Sequence, residues 1–437
     1  MIPSPYLTGL MDEFFDYPLW PLIETTRGCP FKCSFCADGV FIKTKIKRFE
    51  TSRVKDEIDY IAARVKKSRK VEQLGITDLN FGMYKEDLET AEHIAKHQKS
   101  DQWPSIVSAS AGKNRPERLL NVAKELRGSW HFGSAIQSSD EDVLDNINRK
   151  NISVEAYNEL LDYSDKTGNL TYTEIILGLP GDTKEKHFNS LKYGLDHGAN
   201  QLRMYQAILL AGTEMASDQT RKEFQILSKF RVIPGSVGRY KLGNGLIPVC
   251  EIEEIIVQTK DLTFDEYISC RIMHLIIETF FNGSLFEEVF NLVEYSGLGS
   301  FEILKKIHDS QEKFPSNVRL VLRKFINLTK NDLYESYSEA KKILQKEAMI
   351  DKHLNRELGV SELLTCRADL YLLFEDITNI LFDVIREALE AEKLLTSEVH
   401  RFLQEMKEYL NLKKKDFHLI NNLSSAFLTS HQAVRAL

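Results

Sequence analysis

The stretch Arg27-Gly28-Cys29-Pro30-Phe31-Lys32-Cys33-Ser34-Phe35-Cys36 follows the apolar run Leu22 to Thr26 directly and sets three thiols in a three-then-two spacing. They are half of the six cysteines in the chain, and in a sequence of this size the spacing points to metal or redox chemistry rather than to a disulfide framework. Four thiolates would close a tetrahedral zinc site or saturate a four-iron cluster. Three leave one iron of such a cluster without a protein ligand, open to a small molecule. Two other arrangements stay open: a zinc knuckle completed by a distant histidine, the nearest downstream being His93, and three unconnected buried thiols.

Outward from this loop, from Pro21 to about Leu210, short apolar runs alternate with helical patterns, the signature of repeated βαβ units around a parallel sheet. Six strands are predicted: Leu22 to Thr26, Gln73 to Leu79, Ser105 to Ser110, His131 to Gln137, Thr171 to Leu177 and Gln201 to Leu209. Between them, patterns such as Val54, Ile58, Ile61 and Val65 place one apolar stripe against the sheet. After Gly212 the pattern changes. Phe230 to Val257 reads as a hairpin-rich extension broken by Pro234, Gly235, Gly238, Gly243 and Gly245. From Leu262 onward the chain reads as helical, with Phe402, Met406, Tyr409 and Leu410 as a typical stripe and Pro315 the only proline after Pro248. The predicted organisation is a linker over residues 1–20, an α/β domain over 21–215, a short β-rich extension over 216–260 and a helical C-terminal domain over 261–437.

Composition sets wider bounds. With 437 residues, 43% of them hydrophobic and 28% charged, the chain is globular and long enough for two or three domains. The 57 Lys and Arg against 64 Asp and Glu, a net charge of -7, argue against a general nucleic-acid binder. The local basic runs Lys43 to Arg48 and Arg64 to Lys70 read as solvated faces. No basic region followed by an apolar core opens the chain, which begins around Pro3 and Pro5. The most apolar stretch, Ile272 to Phe281, carries His274 and Glu278 and falls short of the ~20 residues that a bilayer requires. A cytoplasmic location without membrane contact is therefore predicted.

Cys29-x-x-x-Cys33-x-x-Cys36, with Phe35 before the last cysteine, resembles the cluster motif of the radical S-adenosylmethionine superfamily. The resemblance implies a partial (β/α)6 TIM-like barrel, which the six strands fit, and a [4Fe-4S] cluster whose open iron chelates the amino and carboxylate groups of S-adenosylmethionine. One electron then cleaves that molecule to methionine and a 5'-deoxyadenosyl radical. It makes Cys29, Cys33 and Cys36 the cluster ligands and puts Phe35 by the adenine. In Thr77-Asp78-Leu79-Asn80-Phe81-Gly82 it places Asp78 and Asn80 near the S-adenosylmethionine amino group, although the turn departs from the common Gly-Gly-Glu form. The fourth strand ends in Gln137-Ser138 and Arg149 follows, which resembles a pattern of ribose-binding glutamine and carboxylate-binding arginine; the planar guanidinium fork suits a carboxylate. Ile176 and Gly178, on the segment Glu174 to Thr183, are implied along the adenine. Ser108 and Ser110, ending the third strand, face the same cavity or are filler.

Ile2-Pro3-Ser4-Pro5-Tyr6-Leu7-Thr8-Gly9 and Asp78 to Gly82 are also similar to the subset of radical enzymes that carry a cobalamin-binding domain ahead of the barrel. In that subset the proline-rich segment follows the cobalamin domain, whereas here it starts the chain. No Asp-x-His-x-x-Gly arrangement is present, the nearest approach being Asp351 and His353 with Arg356 in the last place. The readings are a naturally short relative, a trimmed chain, or cobalamin on a separate cobalamin-carrying protein. The implied function is hydrogen abstraction from an unreactive carbon of a small-molecule substrate, with flavodoxin or ferredoxin as electron donor. Methyl transfer follows if cobalamin is supplied; epimerisation, dehydrogenation or rearrangement follows if it is not. The competing reading is a non-catalytic scaffold with a structural zinc or iron site, against which Gln137 and Arg149 weigh.

His93 and His97, four apart on the second crossover helix, read as an exposed pair, since no Glu follows His93 in the zinc-protease pattern. Cys250, Cys270 and Cys366 read as buried thiols. Trp103, Trp130, Tyr205 and Arg203 flank strand ends as candidates to shape a substrate pocket.

Overall fold

In the computed structural model the chain is described over residues 2–68, 71–112, 114–130, 135–167, 171–243, 245–344 and 346–413. The first predicted strand is two strands, β1 (Leu22–Ile23) and β2 (Thr26–Arg27). It divides because the N–H of Thr25 goes to the Asp78 carboxylate at 2.7 Å instead of into a ladder. In chain order follow β3 (Lys47–Arg48), α1 (Thr51–Ser68), β4 (Gln73–Phe81), α2 (Lys85–Asp101), β5 (Ile106–Ala111), α3 (Pro116–Glu125), α4 (Glu141–Asn146), α5 (Val154–Thr167), β6 (Tyr172–Leu177), α6 (Lys184–Asp196) and β7 (Gln201–Gln206). β4 is the middle strand of a parallel sheet with β1 and β5 on its two sides, β2 pairs antiparallel with β3, and β6 pairs with β7. The fourth predicted strand, His131 to Gln137, falls at 131–134 outside the described residues. On either side of that gap, Trp130 bridges Val107 and Gln137 bridges Ile175, both in the parallel sense. Parallel strands joined through helices make the fold α/β.

The chain divides into two compact units. The first comprises Met1–Ile175, His197–Tyr205 and Leu210–Ser217; the second comprises Ile176–Asp196, Gln206–Leu209 and Asp218–Leu437. In the first, the stripe Val54, Ile58, Ile61 and Val65 of α1 is buried with Leu74, Ile76 and Ile94. Full burial of each such side chain stabilises by about 1.5–3 kcal/mol. Trp103 and Trp130 belong to this core, not to a pocket, and Trp130 packs edge-on against Phe81 with ring centroids 5.3 Å apart.

Besides α6, the second unit holds α7 (Asp218–Glu223) and one long antiparallel hairpin, β8 (Leu227–Leu242) with β9 (Gly245–Gln258). Pro234 and Gly235 do not break it into several hairpins. They sit where the register shifts between Val232 and Val237, a bulge that accommodates a residue with no N–H to donate. Next comes α8 (Phe264–Phe280), started by a capping box in which Thr263 N donates to Glu266 Oε2 (2.8 Å) and Glu266 N donates to Thr263 Oγ1 (3.3 Å). From Tyr267 to Phe280 it is buried almost all round, which is why Ile272 to Phe281 reads as so apolar. Its polar side chains are paired: His274 Nε2 lies 2.8 Å from His187 Nε2, and Arg271 reaches Glu362 Oε1 at 2.7 Å. Burial, then the neighbouring His187 and Arg271, pushes the His274 pKa well below the ordinary imidazole value.

Further helices follow α8, the longest of them Phe374–Ala391 with 18 residues. In the helix Ser397–Lys413 the buried side chains are Leu403 and Leu410, while Phe402 and Tyr409 are about half exposed. The predicted stripe is thus displaced by one residue along part of its length. Cys270 and Cys366 are buried as predicted, whereas Cys250, on β9, is only partly so. Among the described residues no helix is long and apolar enough to cross a membrane.

Candidate active site

The thiol loop is a closed excursion between β2 and β3. Thr26 faces Arg48 and Arg27 faces Lys47 across the two strands, and Cys29 N then donates to Lys43 O at 3.1 Å. Gly28 turns the chain with φ +99°, and a methyl group there would stand 2.8 and 2.9 Å from the carbonyl oxygens of Lys45 and Lys43. Only glycine takes that conformation and that space. Two successive turns follow, Cys36 N to Cys33 O (3.0 Å) and Gly39 N to Cys36 O (2.9 Å), and a Cβ at Gly39 would fall 2.4 Å from Cys33 O.

Cys29 and Cys36 line a cavity of about 280 Å³ that lies within the first unit, together with Phe35, Gln137, Arg149 and Glu174. Gln137 reaches it from a left-handed backbone, φ 64°, held by its N–H to Glu174 O at 2.8 Å. Such a conformation costs a non-glycine residue free energy, and it is tolerated where the surrounding structure enforces it. Arg149 is buried. Its Nε donates to Asn151 Oδ1 at 3.1 Å and its Nη2 to Ala135 O, while Nη1 is buried without a hydrogen-bond partner. Burial lowers the guanidinium pKa, and charge on Cys33 beside it works in the opposite direction.

Asn80 donates from Nδ2 to Cys29 Sγ at 3.3 Å and leaves Oδ1 buried without a partner; the Ser34 hydroxyl is buried likewise. Asp78 does not line the cavity. Thr25 N and Thr25 Oγ1 both donate to its carboxylate, so it braces the entry to the thiol loop. Burial lifts its pKa to about 6 against the pull of those hydrogen bonds. Ser138 is buried and accepts from Asp140 N at 3.2 Å. Ser110 lines the cavity and Ser108 does not. Ile176 and Gly178 belong to the second unit and are not among the lining residues. Tyr205 is about half exposed, and the Arg203 guanidinium lies 3.4 Å from the ring centroid of Tyr172, itself a lining residue.

Four side chains near the loop escape the sequence reading. Asp87 accepts from Gly82 N (2.8 Å), Tyr84 N (3.0 Å) and Arg48 Nη2 (3.0 Å), and Arg48 lies over the Tyr84 ring at 4.7 Å. Glu174 was visible only as part of a strand, and its position beside Gln137 follows from the parallel bridge between Gln137 and Ile175.

The donor set distinguishes a cluster from a single ion. Tetrahedral zinc–thiolate bonds of ~2.3 Å bring sulfurs to within about 3.8 Å of one another. Among the described residues the one trio of metal-ligating atoms that all lie within 4.8 Å of each other is Asp59, His93 and His97, so the three thiols are spread more widely than that. The open ligand count and the unpartnered polar atoms of Arg149, Asn80 and Ser34 fit a four-iron cluster with a charged small molecule beside it.

Residues 23–193 match the family model described as the Radical SAM superfamily. The cobalamin-dependent radical SAM methyltransferase TokK of Streptomyces tokunonensis is 31% identical over 285 residues, covering 61% of this chain and 39% of that protein. The 2-(S-pantetheinyl)-carbapenam-3-carboxylate methyltransferase of Streptantibioticus cattleyicolor is 29% identical over 287 residues, with the same coverage. Among solved structures, the cobalamin-dependent S-adenosylmethionine radical enzyme OxsB with aqua-cobalamin bound aligns with a TM-score of 0.42 and 14% identity over 95% of this chain and 61% of that one. The chain spans about two fifths of the length of the curated relatives it matches. Residues 23–193 are a radical SAM domain, and relatives of the chain include cobalamin-dependent radical SAM methyltransferases.

Proposed function

We propose that this chain is a radical enzyme that holds a [4Fe-4S] cluster on Cys29, Cys33 and Cys36 and binds S-adenosylmethionine in the adjoining cavity. The observation that carries the reading is Arg149: a buried guanidinium with one unpartnered Nη, in the same cavity as two of the three thiols and Gln137. A buried guanidinium N–H without an acceptor is costly, and a carboxylate answers it. In this assignment Arg149 takes the methionyl carboxylate, Gln137 a ribose hydroxyl, Phe35 the adenine face, and the free Asn80 oxygen the amino group, while the Asn80 amide orients Cys29. Bound there, the pair supplies one-electron cleavage of S-adenosylmethionine and hence hydrogen-atom abstraction. The chain's own part is to fix the geometry and exclude water.

The parallel order β1-β4-β5 and the bridges at Trp130 and Gln137 support a partial (β/α)6 barrel over residues 21–215, with residues 1–20 leading into it, the β8–β9 extension over 216–260 and a helical domain over 261–437. The relatives named as methyltransferases favour methyl transfer to a small molecule. In that reading cobalamin accompanies the cluster, carried by this protein or by a separate cobalamin-carrying protein, with flavodoxin or ferredoxin as electron donor in the cytoplasm.

The test is anaerobic reconstitution with iron and sulfide, reduction with dithionite in the presence of S-adenosylmethionine, and chromatography for 5'-deoxyadenosine, repeated with methylcobalamin. Deoxyadenosine above a Cys33→Ala control supports the assignment. Uptake of zinc but no cluster, with no deoxyadenosine, favours the scaffold reading.

A further inference from the structure

We propose that Asp59, His93 and His97 form a second metal site, for a borderline divalent ion such as zinc, bridging α1 and α2. His93 and His97 are one turn apart on α2, so both rings leave the same face of the helix. Asp59 comes from α1, which packs on α2. Its Oδ1 lies 2.6 Å from Nε2 of each histidine, and all three ligand atoms fall within 4.8 Å of one another. Far from being an exposed pair, the two rings are only 16% and 17% accessible, while Asp59 is 52% accessible and leaves a path from solvent.

The hydrogen bonds call for a cation at the centre. His97 Nδ1 lies 2.8 Å from Asp101 Oδ2, and Asp101 is held by Lys66 Nζ at 2.8 Å. A neutral imidazole has one N–H. With that hydrogen on Nδ1 toward Asp101, His97 Nε2 presents a lone pair to a lone pair of Asp59 at 2.6 Å, and something positive must lie between them. Either a second proton on His97 or a metal ion meets that need. A carboxylate behind a histidine also fixes the ring orientation of metal ligands generally.

Two imidazoles and one carboxylate suit zinc, nickel or copper(II) and not magnesium or calcium, which take oxygen ligands. Ligand bonds of ~2.1 Å need the donor atoms about 3.4 Å apart in a tetrahedron. Asp59 Oδ1 and each histidine nitrogen, now 2.6 Å apart, therefore separate by about 0.8 Å, and water takes the fourth position. No ligand comes from the thiol loop, so this site stands whether or not the radical reading does.

Cobalt(II) tests it, read as difference spectra in protein whose loop thiols Cys29, Cys33 and Cys36 are protected, by reconstituted cluster or by alkylation, and which has been freed of excess iron by desalting. One equivalent should bind and show visible d–d bands without the near-ultraviolet sulfur-to-cobalt charge-transfer band. Zinc should compete it off and raise the unfolding midpoint. His93→Gln and His97→Gln should each weaken binding at least tenfold, and Asp101→Asn, which alters a positioning residue, roughly tenfold. Asp59→Asn alters an exposed group and keeps the test valid if a histidine variant misfolds. Cobalt affinity unchanged in Asp59→Asn or in a folded histidine variant, thiolate bands only, or no uptake would overturn the proposal and leave a proton-bridged ion cluster between two helices.

Discussion

Asp78 shows how one buried side chain couples the thiol loop to pH. Its pKa is raised by burial from 3.8 to about 6, so the folded chain takes up its proton before the unfolded chain does. The stability contributed by the neutral carboxyl is complete below about pH 4 and is lost as pH rises through about 6, a change of about 3 kcal/mol. Asp78→Asn should flatten the dependence of the urea midpoint on pH between 4 and 7; an unchanged slope would assign that dependence to another group. Arg149→Lys replaces a fork with a point charge. Under the proposed assignment it should weaken S-adenosylmethionine binding to the reconstituted protein by roughly 10- to 100-fold, with cluster content unchanged. Equal affinity by equilibrium dialysis would remove Arg149 from the site. At this scale the sequence is informative where chemistry is unusual. Cys29, Cys36, Gln137 and Arg149 share a cavity, because such residue types behind strand ends have few other uses. Asp78 and Ser108 look equally suitable in the sequence, since each lies two residues before one that meets the site, Asn80 or Ser110, on the same face of its strand; how far along the strand the cavity reaches depends on contacts from elsewhere.

Among the elements, the loop between β2 and β3 depends on one backbone conformation. Gly28→Ala forces a methyl against two carbonyl oxygens at φ +99°. Iron bound per chain should fall well below that of the parent while far-ultraviolet circular dichroism holds, because the distortion is confined to the loop. Full iron loading would show that the loop tolerates another turn. Period-two and period-3.6 patterns locate β4, β5, β6, β7 and the α1 stripe, since each depends on neighbours along the chain. They do not resolve what depends on contacts from elsewhere. β1 and β2 separate because of an acceptor 53 residues away in Asp78, and the helix Ser397–Lys413 buries Leu403 and Leu410 where Phe402 and Tyr409 offered an equally apolar line. The long β8–β9 hairpin reads as broken because a bulge and a break use the same residues, Pro and Gly.

Across the whole molecule, the backbone changes unit after Ile175, Asp196, Tyr205, Leu209 and Ser217. A fragment of residues 1–217 would carry α6 without the helices that cover it. Phe188, Leu191 and Leu195 are buried there, with Phe188 edge-on to Phe301 at 6.1 Å and His187 paired to His274. That fragment should express as aggregate or bind a hydrophobic dye strongly; a soluble, dye-silent monomer would show that the second unit is dispensable to it. No linear pattern in the sequence signals this interleaving, since it concerns which segments share a core rather than what each segment forms. The same threading bears on inheritance. Wherever a single crossover joins two related genes, at least one of the two interiors in the hybrid is assembled from both parents, with side chains that were never selected to pack together. Exchange of whole blocks should therefore fail more often than substitution residue by residue, and viable chimaeras should need several matched junctions.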